Sequence, residues 1–436
     1  MIYGGDGLAR LPANEKGPGK AVFVPFVLAH EKIDAELVEQ KSGFARAQAR
    51  EIVEASTQRV EPECPYFGHC GGCQYQHAGY EAQLVIKKQI LEETLRRTAK
   101  LELATEIQVH PSPPWNYRNR SRLQIRTRPD FAVGYFKHAV HDVLPIEQCP
   151  ISSPLINQAV TILWQSGRRG EVPAGVEEAE FFADAEDAQL LVEIWCTSEA
   201  RRSAVRGWAE ALRGAMPQIA GVVAFRTLQS KATAQTERLI AVGADHLTYK
   251  TPHADFRVSA GSFFQTNRFL IDELVKIATA GRSGEVALDL YAGVGLFSTA
   301  LGDFHHTFSV ESSQTSSADL TYNLTSNGEA VQATTEQYLA RQTQPGRVGK
   351  GVVLPHIPNK PDLAVVDPPR SGLGERVARL LADLGAPRVT YVSCDPATLA
   401  RDLVVLLGAG YTIEQIHLVD LFPQTYHLET VVHLVH

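Results

Sequence analysis

With 436 residues, the chain is long enough for two or three domains, each with a core of its own. Its 44% apolar and 21% charged content excludes a disordered or fibrous protein, and no apolar run reaches the ~20 residues of a membrane span. A formal net charge of −7, from 42 basic and 49 acidic residues, argues against a large unspecific nucleic-acid surface and leaves local patches to decide.

The opening MIYGGDGLAR lacks the basic-then-apolar pattern of a secretory signal. The cytoplasm is therefore the expected compartment, no membrane partner is expected, and the 6 cysteines should be ligands, nucleophiles or core residues. Over residues 1–58, short apolar runs such as AVFVPFVL alternate with Gly- and Pro-bearing turns. That texture predicts a small β-barrel of the OB type, a fold often used on nucleic acids.

Then comes ECPYFGHCGGCQYQH, with Cys64, Cys70 and Cys73 spaced Cys-x5-Cys-x2-Cys, and Cys149 far downstream in IEQCPIS. Four thiolates can close a zinc site or hold an iron–sulfur cluster, and three-plus-one spacing does not choose between these or exclude free thiols. Cys196, in LLVEIWC, has no partner pattern and reads as a core residue. A helix is predicted over 80–97, with Leu84, Ile90, Leu91 and Leu95 near one face, and it is expected to pack on the C-terminal domain. Pro111, Pro113 and Pro114 end any helical reading.

Residues 59–254 otherwise read as a β-rich central domain. Within it, RSRLQIRTR alternates, so that Arg120, Arg122, Arg126 and Arg128 share one strand face while Leu123 and Ile125 face a core. A row of guanidiniums suits the phosphates of RNA, and Trp115 and Tyr117 just upstream are candidates for stacking on unpaired bases. A solvated strand face is the plainer alternative.

From 255 to 436 strands and helices alternate: EVALDLY, TFSVE, DLAVVD and RVTYVSC against FLIDELVKIATA, SADLTYNLTS, GERVARLLADL and PATLARDLVVLL. This predicts a doubly wound, Rossmann-like α/β domain, and so a multidomain α/β protein. Residues 341–361, rich in Gly and Pro, read as a long loop. In VALDLYAGVGLFS, Gly293 and Gly295 follow a strand, and Glu311 ends the next one, where a carboxylate can accept both ribose hydroxyls. Ser298 stands where a dinucleotide fingerprint has its third glycine, which favours S-adenosylmethionine, a cofactor with no pyrophosphate to seat.

DLAVVDPPRSGL places Asp367 at a strand end before two prolines, a turn of the type methyltransferases set beside the base they modify; a helix-start signal is the alternative. Cys394, at the next strand end in YVSCDPATLARDL, fits a chemistry that an exocyclic amine would not need. Carbon 5 of a pyrimidine is a poor nucleophile until a thiolate adds to C6, and a base must then remove the C5 proton. The helix from Pro396 is expected to lower the Cys394 pKa, and Glu429, in an apolar strand-like run, is the candidate base with His427 beside it.

Together FRVSAGSFFQTN, DLYAGVGLFS, SVESS, DPPRSGL, YVSCDPATLARDL and DLFPQTYHLETV resemble, in order, the RNA uracil-C5 methyltransferase family. The resemblance implies that Gln265, Tyr291, Glu311 and Asp367 line the S-adenosylmethionine site, that Cys394 is the nucleophile and that Glu429 is the base. It implies that residues 1–58 are a TRAM domain and that the four cysteines hold a 4Fe–4S cluster, with zinc as the alternative. It also implies an RNA partner, 23S ribosomal RNA first and transfer RNA second, and a monomeric enzyme. Leu296, Thr334 and Thr335 depart from the family pattern, where polar and acidic cofactor contacts are usual.

Overall fold

The computed structural model describes residues 1–11, 19–229, 234–279, 281–344, 355–357 and 360–436. Its first four strands, β1 (Gly7–Arg10), β2 (Ala21–Val24), β3 (Lys32–Gln40) and β4 (Phe44–Glu54), form one sheet in the order β1-β2-β4-β3. Val22, Val24, Val27, Ala45 and Ala47 make up its small core. Helix α1 (Tyr80–Thr98) follows, then β5 (Ile107–His110).

The central sheet holds β6 (Arg120–Arg126), β7 (Ala132–Phe136), β8 (Val143–Pro145), β9 (Val176–Ala183), β10 (Leu190–Cys196), β11 (Ile219–Gln229) and β12 (Ala234–Gly243). Helices α2 (Pro154–Arg168) and α3 (Arg202–Ala215) bury Leu123, Ile125, Val192 and Ile194 on one face of it. The other face offers Phe182, Leu191 and Val223 to the C-terminal part of the chain. Cys196 is buried in this core, as a small hydrophobe.

That second face corrects the reading of the arginine row. Arg120 is only 8% exposed: its Nη1 donates to Ser262 O at 2.7 Å, its Nε lies 3.2 Å from Glu180 Oε1, and its guanidinium covers the Phe182 ring at 4.5 Å. Arg122 donates from Nε to Glu180 Oε2 at 2.6 Å and lies over Trp195 at 5.0 Å. Acidic residues on the neighbouring β9 thus answer the first two arginines. Arg126 and Arg128 stay partly or fully exposed, Arg128 beyond the strand end. Tyr117 is also unavailable for stacking, being buried with its hydroxyl donating to Pro423 O at 3.0 Å.

After the hairpin of β13 (His246–Lys250) and β14 (Asp255–Ser259) come α4 (Ile271–Thr279), β15 (Gly284–Leu290), β16 (Phe304–Glu311), α5 (Gln314–Asn323) and β17 (Gly328–Gln332). The chain continues through α6 (Thr335–Thr343), β18 (Leu363–Val366), α7 (Gly374–Leu384), β19 (Arg388–Ser393), α8 (Pro396–Gly408), β20 (Thr412–Val419) and β21 (Glu429–Val435). Residues 341–343 of the expected loop are helical, and most of the remainder lies outside the described residues. The sheet order is β17-β16-β15-β18-β19-β21-β20-β5, parallel from β17 to β19 and antiparallel at β21. Strand order reverses between β15 and β18. Open α/β sheets bind ligands in the crevice beyond the strand ends at such a point. Among the described residues no helix is long and apolar enough to cross a membrane.

The boundary expected at residue 254 is crossed by α1 and β5. β5 pairs in parallel with β20, and α1 packs its Ala82, Ile86, Ile90 and Leu91 into the C-terminal core beside Leu399 and Leu403 of α8. On α1, Gln83 and Lys87 lie four residues apart and so share a face. Gln83 exchanges two bonds with Gln424, each 2.9 Å, and Lys87 Nζ donates to Phe422 O at 2.9 Å and to Asp420 Oδ1 at 2.5 Å. Both charges of this pair are desolvated, with 0% and 1% side-chain exposure. Lys87→Met is expected to cost about 3–5 kcal/mol by leaving Asp420 buried without its counter-ion, held only by the Tyr80 hydroxyl, which donates to Oδ2 at 2.9 Å. Adding Asp420→Leu should return most of it in urea unfolding.

On the adjacent strands β20 and β21, His417 and His433 are buried, with rings 5.5 Å apart. Burial pushes both from 6.5 down to about 4. They fold neutral, so their contribution is complete above pH 6.5 and is lost as pH falls toward 4, on the order of a few kcal/mol in total. Thermal melts between pH 7 and pH 5 should show a decline that His417→Gln flattens.

Candidate active site

β15 ends in Leu290, and the chain must turn at once toward a single 3-10 turn at Ser298–Ala300. Tyr291 (φ +65°), Gly293 (φ +57°) and Gly295 (φ +97°) take left-handed backbone to do so. A Cβ on Gly293 would meet no protein atom within 4 Å, so the space against this backbone is open to a ligand. Glu311, at the end of β16, accepts the Gly293 N–H at 2.9 Å and the Ser313 N–H at 2.6 Å. Those bonds fix its carboxylate at the rim of the crevice.

The crevice is a cavity of about 760 Å³, within the usual size of small-molecule sites. Gln265, Tyr291, Gly293, Glu311, Asp367, Cys394 and Glu429, drawn from six segments, all line it. Gly295 stands just behind the lining and Leu296 within it. Thr334 is elsewhere: it caps α6 in a reciprocal capping box with Gln337, and Thr335 is buried behind it. Sequence reasoning missed Arg118, Phe263, Arg370 and Phe422. Phe263 is 61% exposed at the mouth, a signal the GSFF run carried without a way to weigh it.

Charge in the cavity is lopsided. Burial, then Asp289, pushes Asp367 up to about 7, and burial pushes Asp289 itself up to about 6. Burial and Asp367 hold Glu429 well above the usual carboxylate range, against the pull of Arg370. His427 is kept neutral by burial and by Arg370, whose Nη2 is 3.3 Å from its ring nitrogens. The Cys394 thiol is not lowered, as the helix start had suggested: burial, Glu429 and Asp367 push it up to about 12, with Arg370 opposing. The physical reason is at hand. Asp395 caps α8 with its own carboxylate, accepting from Ala397 N at 3.0 Å and Thr398 N at 2.9 Å, so an anion already occupies the positive helix end.

Cys64, Cys70, Cys73 and Cys149 converge on a second cavity, of about 230 Å³, which Arg118 also lines, so that this arginine borders both sites. None of the four is in a disulfide. The Gly72 N–H points at Cys70 Sγ at 3.4 Å, and burial pushes the Cys70 thiol up to about 11. Among the described residues no three Cys, His, Asp or Glu side chains are close enough together to hold one metal ion. Four thiols around one void are a donor set that either zinc or an iron–sulfur cluster would take.

The family model described as tRNA (uracil-5-)-methyltransferase matches residues 79–436. RNA methyltransferases of unassigned substrate from Aquifex aeolicus and Streptomyces avermitilis are 31% and 32% identical, covering 99% of this chain and 96% and 95% of theirs. The tRNA (uracil-54, C5)-methyltransferase of Pyrococcus abyssi, solved with S-adenosyl-L-homocysteine, is 23% identical and superposes with a TM-score of 0.73, covering 99% of each chain. That likeness speaks for the fold.

Proposed function

The chain belongs to the tRNA (uracil-5-)-methyltransferase family, and on that premise we propose that it methylates carbon 5 of a uridine in RNA, with Cys394 as nucleophile and Glu429 as proton acceptor. The observation that carries the reading is the convergence of Cys394, Asp367 and Glu429 on the cavity that Gly293 and Glu311 border. S-adenosylmethionine supplies the methyl group. Glu311 is placed to accept ribose hydroxyls and the open backbone at Gly293 to admit the cofactor.

Cys394 gives up its proton to solvent at the open mouth, with Arg370 holding the thiolate, and its sulfur bonds to C6. The electron pair freed on the ring makes C5 the nucleophile toward the methyl group. Glu429 then takes the C5 proton, and the C6–sulfur bond breaks to restore the aromatic ring and the thiolate. A uridine must leave its stack to reach Cys394, and Phe263 at the mouth is suited to stack on a base so displaced.

The N-terminal sheet is read as an OB-type, TRAM-like RNA grip, with Arg126 and Arg128 as phosphate contacts. The four cysteines are read as ligands of a 4Fe–4S cluster, supported by their shared cavity; its place is structural, tying the 64–73 loop to Cys149. Ribosomal RNA is proposed first as substrate, on the pairing of this cysteine set with the N-terminal sheet. Transfer RNA is second, on the family's name and that of the Pyrococcus neighbour.

The test incubates the protein with S-adenosylmethionine and 5-fluorouracil-substituted ribosomal or transfer RNA. Fluorine cannot leave as a proton does, so a denaturant-stable adduct should accumulate on one of them and mapping it names the uridine. Cofactor binding with no adduct on either RNA would sink the nucleophile assignment.

A further inference from the structure

The carboxylates around the cavity outnumber the cations that face them. Asp289 comes from β15, Glu311 from the end of β16, Asp367 from the end of β18 and Glu429 from the start of β21, and the Cys394 thiol faces them from the β19–α8 turn. Opposite stand Arg370, on the turn after Asp367, and Arg118 on the far wall. His427 is neutral, and Asp395 is spent on the amides that cap α8. Among the described residues no protein donor hydrogen-bonds the side chain of Asp367 or Glu429. Asp289, 0% exposed, takes a bond from Ser298 on one oxygen, while Oδ1 has no partner.

Buried carboxylates without donors or counter-ions are costly when ionised, and they hold protons until a cation arrives. The methyl donor brings one: its sulfur is a sulfonium. Once the methyl group has moved to C5, that sulfur is a neutral thioether and no longer attracts a carboxylate.

We propose that Asp367, backed by Asp289, reads the charge on the cofactor's sulfur, distinguishing methyl donor from spent product. The inference rests on the methyl-transfer reading above. The charges balance: the methyl group leaves as a cation equivalent and bonds to C5 through the electron pair of the ring, sulfur keeps the bonding pair, and the C5 proton passes to Glu429. The ring's negative charge and the sulfonium's positive charge disappear together, so the net charge of the cavity is unchanged while the sulfur itself becomes neutral. Product release then no longer opposes an ion pair.

Calorimetry on the full chain tests this without turnover. S-adenosylmethionine, S-adenosylhomocysteine and an analogue carrying an ammonium in place of the sulfonium are each titrated at pH 7 in two buffers of different ionisation enthalpy. The two cations should release about half to one proton more than the thioether. The preference for the methyl donor over the thioether should fall roughly tenfold from pH 8 to pH 6, because protonated carboxylates no longer attract the cation. Asp367→Asn should flatten that dependence. Equal proton release by the donor and the thioether in the unaltered protein overturns the charge-reading role and leaves the methyltransferase reading standing. Failure of all three ligands to bind overturns both.

Discussion

Cys394→Ala should lower methyl transfer to RNA by at least ~10⁴-fold and abolish the adduct with fluorouracil-substituted RNA. Calorimetric binding of S-adenosylmethionine should change little, since the cofactor is held by other residues. The size follows from the chemistry: without a bond to C6, carbon 5 of uracil has no electron pair to offer a methyl group. The raised thiol gives the prediction a second handle. Because burial and the neighbouring carboxylates hold Cys394 near 12, only a small fraction is thiolate at neutral pH, and single-turnover rates should climb with pH between 6.5 and 9. Arg370→Gln removes the cation that opposes this and should lower the rate by about the same factor across that range. A Cys394→Ala protein that still methylates RNA would reassign the site to an amine-directed methyltransferase, in which Asp367 and the following prolines act alone.

The alternation of the C-terminal half was legible because each element there is short, apolar and local. EVALDLY, TFSVE, DLAVVD and RVTYVSC became β15, β16, β18 and β19, and a strand-end rule then placed Glu311, Asp367 and Cys394 around one crevice. What stayed hidden depends on partners far away in sequence. β5 reads as part of the central domain until β20 pairs with it some 300 residues later. The RSRLQIRTR row looks like a free cationic face because Glu178 and Glu180, which take up Arg122, lie on a strand more than fifty residues on. Cys394 looked acidic because a helix start implies a positive field. The Asp395 beside it in SCDPAT was in plain view, and its capping role cancels that field. Burial did the rest, and no local pattern reports it.

Glu429→Gln should trap the enzyme on its RNA. Glutamine keeps the shape of the side chain, which is 3% exposed, but cannot take a proton, so the steps up to methyl transfer proceed and elimination does not. Turnover should fall about 10²–10⁴-fold, the usual range for a lost general base, while a methylated, denaturant-stable RNA–protein complex builds up on ordinary uridine RNA. A low turnover without such a complex would mean that Glu429 acts before the bond to C6 is made. Stability separates this from misfolding. A carboxyl group with a raised folded pKa contributes most below its unfolded value of 4.5, and that contribution is lost as pH rises through the folded value. At pH 8 the native protein bears the cost of an anion packed against Asp367, and the variant does not. Glu429→Gln should therefore melt at the same temperature as the native chain or higher, with the difference growing from pH 6 to pH 8. A protein that is more stable, retains its cofactor and stays covalently attached to its RNA is the combination that only a proton acceptor at Glu429 produces.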